Sequence, residues 1–174
     1  DPADFLEAAR SDLSASVHVF TPNKDVILLP EGSTALDFAY HVHTEVGNHT
    51  TGAKVNGRLV PLRTALKTGD TIEVLTRPDA HPTRDWLDWA HASRSLEKIR
   101  KKLREEQGDR AVQLGRDIID GALRKHQSGI KRVLADKEAM ARLDKAGFKD
   151  MDALAEKVVS GSMSPTEAAR ILLP

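Results

Sequence analysis

Along Arg77-Pro78-Asp79-Ala80-His81-Pro82 the spacing of hydrophobic residues changes, and no single type of secondary structure serves both sides. Before this stretch apolar residues alternate in short runs broken by turn residues. After it they recur at three- and four-residue intervals. Alternation sets side chains on two faces of a strand, whereas 3.6-residue spacing sets them on one stripe of a helix. Two prolines in six residues mark the change as a linker. The chain therefore reads as a small α+β domain followed by an all-α one. Its 174 residues suffice for one ordinary domain or two small ones.

In the first half, Ser16-Val17-His18-Val19-Phe20 alternates, Thr21 to Asp25 turns, and Val26-Ile27-Leu28-Leu29 returns as a second strand closed by Pro30 and Gly32. Ser33 or Thr34 is the expected N-cap of a helix carrying Leu36, Ala39, Tyr40 and His43, with Gly47 as its terminator. Ala53-Lys54-Val55 and Arg58-Leu59-Val60 flank Asn56-Gly57, the pair suited to a type I′ turn with positive φ at both central positions. Gly69-Asp70 leads into Thr71-Ile72-Glu73-Val74-Leu75. Strand, strand, helix, strand, strand, strand is the order of a β-grasp, one helix laid over a small mixed sheet.

In the second half, Thr83 is expected to cap a long helix with Ala92, Leu96, Ile99 and Leu103 on its apolar stripe. Gly108-Asp109 is expected to break it before a second helix with Leu114, Ile118, Ala122 and Leu123 on one side. Short helices follow near 130–145 and 151–159, and Ser164-Pro165 opens a last one with proline at the favoured first position. Trp86 and Trp89, three apart, are expected to pack inward against the sheet of the first half.

Composition narrows function. Lysine plus arginine equals aspartate plus glutamate at 26 each, which argues against a phosphate-binding surface over the whole molecule but leaves room for a local basic patch. Absence of cysteine removes disulfides and thiolate chemistry together. No run approaches the roughly 18 apolar residues of a membrane span, so a cytoplasmic protein is expected, with no membrane partner. Asp1 in place of an initiating Met points to a piece of a longer protein. No Gly-rich phosphate loop and no His-Asp metal cluster with workable spacing is visible, so the chain is expected to be non-catalytic, with no cofactor and no metal. His41, His43 and His49 offer a zinc site only weakly: no acid or thiol is placed to complete it, and residues two apart on a helix face different ways.

Several stretches resemble a known family. Val19-Phe20-Thr21-Pro22-Asn23-Lys24-Asp25-Val26 is similar to the VFTPKGDV opening of TGS domains. Gly32 to Tyr40 is similar to their GSTPLDFAY helix start, and Gly52 to Leu62 and Gly69 to Thr76 continue the match. TGS domains also occur in threonyl-tRNA synthetases and Obg-type GTPases. Pro82-Thr83-Arg84-Asp85-Trp86-Leu87 and Ala92 to Arg100, however, resemble the PSRDWL…TSRARNKIR run of RelA/SpoT homologues. The resemblance implies a linker from a catalytic half over 1–16, a β-grasp TGS domain over 17–77, a linker over 78–83 and a helical domain over 84–174. One loop departs: where the family commonly reads VGHRC, this chain has Val46-Gly47-Asn48-His49-Thr50.

In RelA/SpoT proteins the amino-terminal half makes and hydrolyses (p)ppGpp, and the following region regulates it. The resemblance implies a non-catalytic regulatory segment that senses the 3′-CCA end of uncharged tRNA on the ribosome. An unstacked adenosine needs a flat face and hydrogen-bonding groups. His43, which matches the family's histidine, is the leading candidate, with Lys54, Arg58 and His49 around the same 3′ end. The plainer alternative makes His43 a helix-terminal residue only. Arg94, Lys98, Lys101 and Lys102, in a run that also holds Arg100 and Arg104, are candidates for RNA backbone contacts; Glu97, Glu105 and Glu106 interrupt the run, as in an ordinary solvated face. A second functional reading is a protein-interaction module docking on the protein's own catalytic domains or on acyl carrier protein.

Overall fold

Hydrogen-bonding alternation decides the first element pair. In the computed structural model, which describes residues 15–174, β1 (Ser16–Phe20) pairs antiparallel with β2 (Val26–Pro30), Val17 opposite Leu29 and Val19 opposite Ile27. The expected linker over 1–16 lies almost wholly outside the described residues. β3 (Thr50–Val55) pairs antiparallel with β4 (Arg58–Val60) on one side and with β5 (Ile72–Thr76) on the other. Asn56 and Gly57, at φ 53° and 83°, make the left-handed turn their pairing predicts. A parallel bridge between Phe20 and Thr71, with Phe20 N–H donating to Asp70 C=O at 2.8 Å, brings the two sheets into β-grasp order.

One face of this sheet holds Val17, Val19, Leu29, Ala53 and Ile72, all buried beneath α1 (Ala35–Val42), which contributes Ala35 and Phe38 to the same core. Each valine, leucine, isoleucine or phenylalanine among them adds about 1.5–3 kcal/mol of apolar burial.

The first helix is shorter than its spacing suggested. It ends at His43, whose backbone is extended, and a separate turn, α2 (Thr44–Asn48), follows. Gly47 therefore does not terminate α1; it lies buried inside α2, where a Cβ would overlap the Tyr40 ring. Close packing explains this glycine. The Tyr40 hydroxyl donates to Asn48 Oδ1 at 2.8 Å and fixes the corner from the other side.

The helical part also departs from its expected breaks. Thr83 does not cap a long helix: a short helix, α3 (Trp86–Trp89), stops at Ala90, whose ψ of 146° is extended, and α4 (Ser93–Arg124) starts afresh. Gly108-Asp109 does not interrupt α4, which runs for 32 residues. One exposed glycine costs a helix about 1 kcal/mol, and the good helix formers around it outweigh that. Trp86 is buried and packs edge-to-face on Tyr40 with ring centroids 6.4 Å apart, in a cluster with Leu36, Leu62, Ala90 and Ile99. The tryptophans thus pack inward on α1 rather than on the sheet, Trp89 only partly buried.

The molecule divides into two compact units, one ending at Arg104 and the other Glu105–Pro174. The second packs the end of α4 with α5 (Ile130–Leu134), α6 (Lys137–Lys145), α7 (Met151–Val159) and α8 (Pro165–Leu172) around Ile119, Leu123, Leu143, Leu154 and Leu172. Leu114, expected on the buried side, is 55% exposed, and Ile119 takes its place. Gly115 occupies the contact ridge, because any Cβ there would overlap the Ala155 carbonyl. Ser164 Oγ accepts from Glu167 N–H at 3.1 Å, capping α8 behind Pro165 as its sequence predicts.

Candidate functional site

The corner between α1 and α2 is built around an exposed imidazole. His43 Nδ1 accepts the Glu45 N–H at 3.0 Å, which caps α2 and fixes the ring. With Nδ1 an acceptor, the neutral ring carries its proton on Nε2 and turns that donor outward. His43 is thus both a helix cap and a presented donor beside a flat face. Glu45 joins it to His49, whose Nε2 lies 3.4 Å from the Glu45 carboxylate. His49 Nδ1 lies 2.9 Å from the Ala80 carbonyl, and Arg77 N–H donates to the His49 carbonyl at 2.9 Å. His49 therefore ties α2 to the stretch after β5, with both ring nitrogens already facing oxygens.

Lys54 and Arg58 are not brought together. Directly opposed residues share a face of a sheet. Lys54 stands in a row with Leu59 and Glu73, whereas Arg58 stands opposite Val55, in the row of buried Ile72. Both are exposed, and among the described residues no hydrogen bond or ion pair joins either to His43. His41, His43 and His49 do not converge either: among the described residues no three His, Cys, Asp or Glu side chains are grouped to hold a metal.

Arg94, Lys98, Lys101 and Lys102 fall at i, i+4, i+7 and i+8 of α4, one sector bordering its buried stripe of Ser95 and Ile99. Lys98 is half-buried and donates to the Tyr40 carbonyl at 3.3 Å, placing a cation at the C-terminal end of α1 where the helix dipole favours it. His41 sits against this stripe: burial first, then the Arg94 and Lys98 charges, hold its pKa below the ordinary imidazole value. A pocket of about 400 Å³ opens here, lined by Leu28, Pro30, His41, Arg94, Ser95 and Lys98 among others.

Two contacts at this site were not anticipated from the sequence. His41 meets Arg94 across more than fifty residues of chain, and no local pattern announces that. Asp37 did leave a signal, since Thr34-x-x-Asp37 has capping-box spacing. Its buried carboxylate accepts from Thr34 N–H at 2.8 Å, His91 N–H at 2.9 Å and Ala92 N–H at 3.0 Å, locking α1 to the turn before α4.

Comparison with known proteins places these elements. Residues 17–76 match the TGS domain family, and residues 102–173 match the RelA/SpoT AH domain family. A GTP pyrophosphokinase of Myxococcus xanthus is 41% identical over 175 residues, covering 100% of this chain and 23% of that protein. A GTP pyrophosphokinase of Streptomyces coelicolor is 45% identical over 167 residues, covering 94% and 20%. The bifunctional (p)ppGpp synthase/hydrolase RelA of Mycobacterium tuberculosis is 39% identical over 176 residues, covering 99% and 24%. The chain spans about a fifth to a quarter of the length of these relatives.

Proposed function

The chain belongs to the RelA/SpoT family, and from that premise we propose that it is the non-catalytic regulatory segment of a cytoplasmic (p)ppGpp synthetase/hydrolase, reading the 3′ end of uncharged tRNA on the ribosome. By function we divide it into a TGS domain over 17–77, a linker over 78–83 and a helical domain over 84–174. The whole enzyme, on this reading, transfers pyrophosphate from ATP to GDP or GTP and hydrolyses the product, and this segment biases the two activities. The observation that carries the reading is the exposed His43 ring, its Nδ1 held by Glu45 N–H so that an Nε2 donor and a flat face are presented together.

A free terminal adenosine offers a base to stack and two ribose hydroxyls to bond. An esterified amino acid occupies one of those hydroxyls and adds bulk beside the ring. Discrimination therefore follows from a single contact that charging blocks. Lys54 and Arg58 serve the 3′ strand from different faces of the hairpin, and His49 holds α2 in place. Arg94, Lys98, Lys101 and Lys102 supply phosphate contacts along the acceptor arm, each adding to the salt dependence.

The test measures binding of the segment, with ribosomes present, to one tRNA in uncharged and aminoacylated forms, alongside His43→Ala. Preference for the uncharged form, lost in the variant, supports the reading. Equal binding of both forms by the unaltered chain rules it out.

A further inference from the structure

Among the described residues β2 is a sheet edge, paired with β1 alone. Glu31 N–H donates to Ala15 C=O at 2.6 Å and Thr21 N–H to Asp25 C=O at 2.9 Å, bracketing the ladder. Hydrogen-bonded pairs alternate in an antiparallel ladder, so Leu29 and Ile27 spend their backbone groups on β1. The N–H and C=O of Val26 and Leu28 then point away from the sheet. Their side chains are 57% and 50% exposed. Natural sheets usually blunt such an edge with lysine, proline or a bulge; here only Pro30 does so, at the far end.

The same strand end borders the cationic pocket: Leu28, Leu29 and Pro30 line one side of it, and His41, Arg94 and Lys98 the other. Arg94 has no carboxylate partner among the described residues. The one acid in the lining, Asp37, is taken up by the amides of Thr34, His91 and Ala92. A free edge alone takes any strand, and a cationic pocket alone takes any anion. Their adjacency selects a ligand with both features.

We propose that the edge of β2 is a peptide-docking site: an extended, largely apolar segment of a partner protein adds as a strand against Val26 and Leu28 and places a carboxylate side chain between Arg94 and His41. Main-chain pairing gives affinity and the pocket gives specificity, the division of labour in strand addition. Asp25 and Glu31 flank β2 at its two ends, so the partner's acid is confined to the pocket and the rest of the segment is uncharged. This site goes beyond the reading at His43 and does not depend on it. It shares Arg94 and Lys98 with the proposed RNA contacts, so peptide and RNA exclude each other there.

The experiment uses the chain as it stands and three capped octapeptides: one alternating valine and threonine with a single glutamate near one end, its glutamine twin, and the glutamate peptide with alternate backbone nitrogens methylated. Amide exchange and chemical shifts of Val26 and Leu28 are followed by NMR. Protection of both amides by the glutamate peptide is expected, with binding weakened about fivefold or more in the glutamine twin, as for loss of a charge-assisted contact. Methylation should abolish protection, and Arg94→Gln should erase the difference between the first two peptides. No protection at millimolar glutamate peptide overturns the proposal. So does protection that rises with protein concentration alone, which would assign the edge to a second copy.

Discussion

The carboxylate of Asp37 accepts the backbone N–H of His91 at 2.9 Å, joining two residues 54 positions apart. It also takes Ala92 N–H and Thr34 N–H, while the Thr34 hydroxyl lies 2.9 Å from the Trp89 carbonyl. A capping residue of α1 has thereby become the anchor of the turn from which α4 departs. Replacing Asp37 by Asn substitutes an NH₂ for one acceptor oxygen among converging donors. A hydrogen bond to a charged group contributes about 1.5–3 kcal/mol, so Asp37→Asn should lower stability by about 2 kcal/mol or more. Urea unfolding measures the loss, and faster exchange at the amides of His91 and Ala92 locates it. Unchanged exchange there would show that the turn is held by the Trp86 packing and the Thr34 hydroxyl rather than by Asp37.

His41 carries a pH signature with a definite sign. Burial, then Arg94 and Lys98, depress its pKa, so between the folded pKa and about 6.5 the unfolded chain binds the extra proton. Stability therefore rises with pH across that window and is lost as pH falls through it. Arg94→Gln removes one repelling charge and should raise the His41 midpoint in an NMR titration of its ring protons. A midpoint that stays put would leave burial and the Lys98 charge as the causes.

Two glycines should respond to alanine in opposite directions. At Gly47 the added methyl meets the Tyr40 ring, itself hydrogen-bonded to Asn48, and overpacking of this kind costs about 1–3 kcal/mol. At Gly108, in the exposed interior of α4, nothing lies within 4 Å of the new methyl, and helix propensity should stabilise by about 1 kcal/mol. Thermal unfolding of the two variants checks both signs. A destabilised Gly108→Ala would mean that α4 needs flexibility at its middle.

Those same glycines show what the sequence could and could not convey. Asn56-Gly57, the alternating strands and Ser164-Pro165 were legible because their causes are local: turn dihedrals, pleat and capping lie within a few residues. Gly47 and Gly108 were misread as helix breaks because glycine carries several meanings, and only the tertiary neighbour, the Tyr40 ring or open solvent, selects among them. Lys54 and Arg58 were grouped around one 3′ end, although the register of a two-residue turn sets them in different rows; the cationic pocket left no such local signal, since β2, α1 and the start of α4 meet there only after folding. Leu114 and Ile119 are five apart on one helix, and the choice of which to bury rests with α7, whose Ala155 meets Gly115.

His43 does two jobs that a single substitution confounds. Its Nδ1 caps α2, so His43→Ala removes a cap worth about 1 kcal/mol as well as the imidazole. Asparagine is among the best capping residues and offers an acceptor oxygen at similar reach, but it has no aromatic face. His43→Asn should therefore regain the stability lost in His43→Ala, read by thermal unfolding, while failing to regain preference for uncharged over aminoacylated tRNA. If asparagine restores both, the corner is needed only as a correctly capped turn, and the group that meets the RNA lies elsewhere. If it restores neither, the Glu45 N–H bond depends on the ring's own geometry, and the imidazole's contribution to binding must be separated by a ring-retaining change such as His43→Phe.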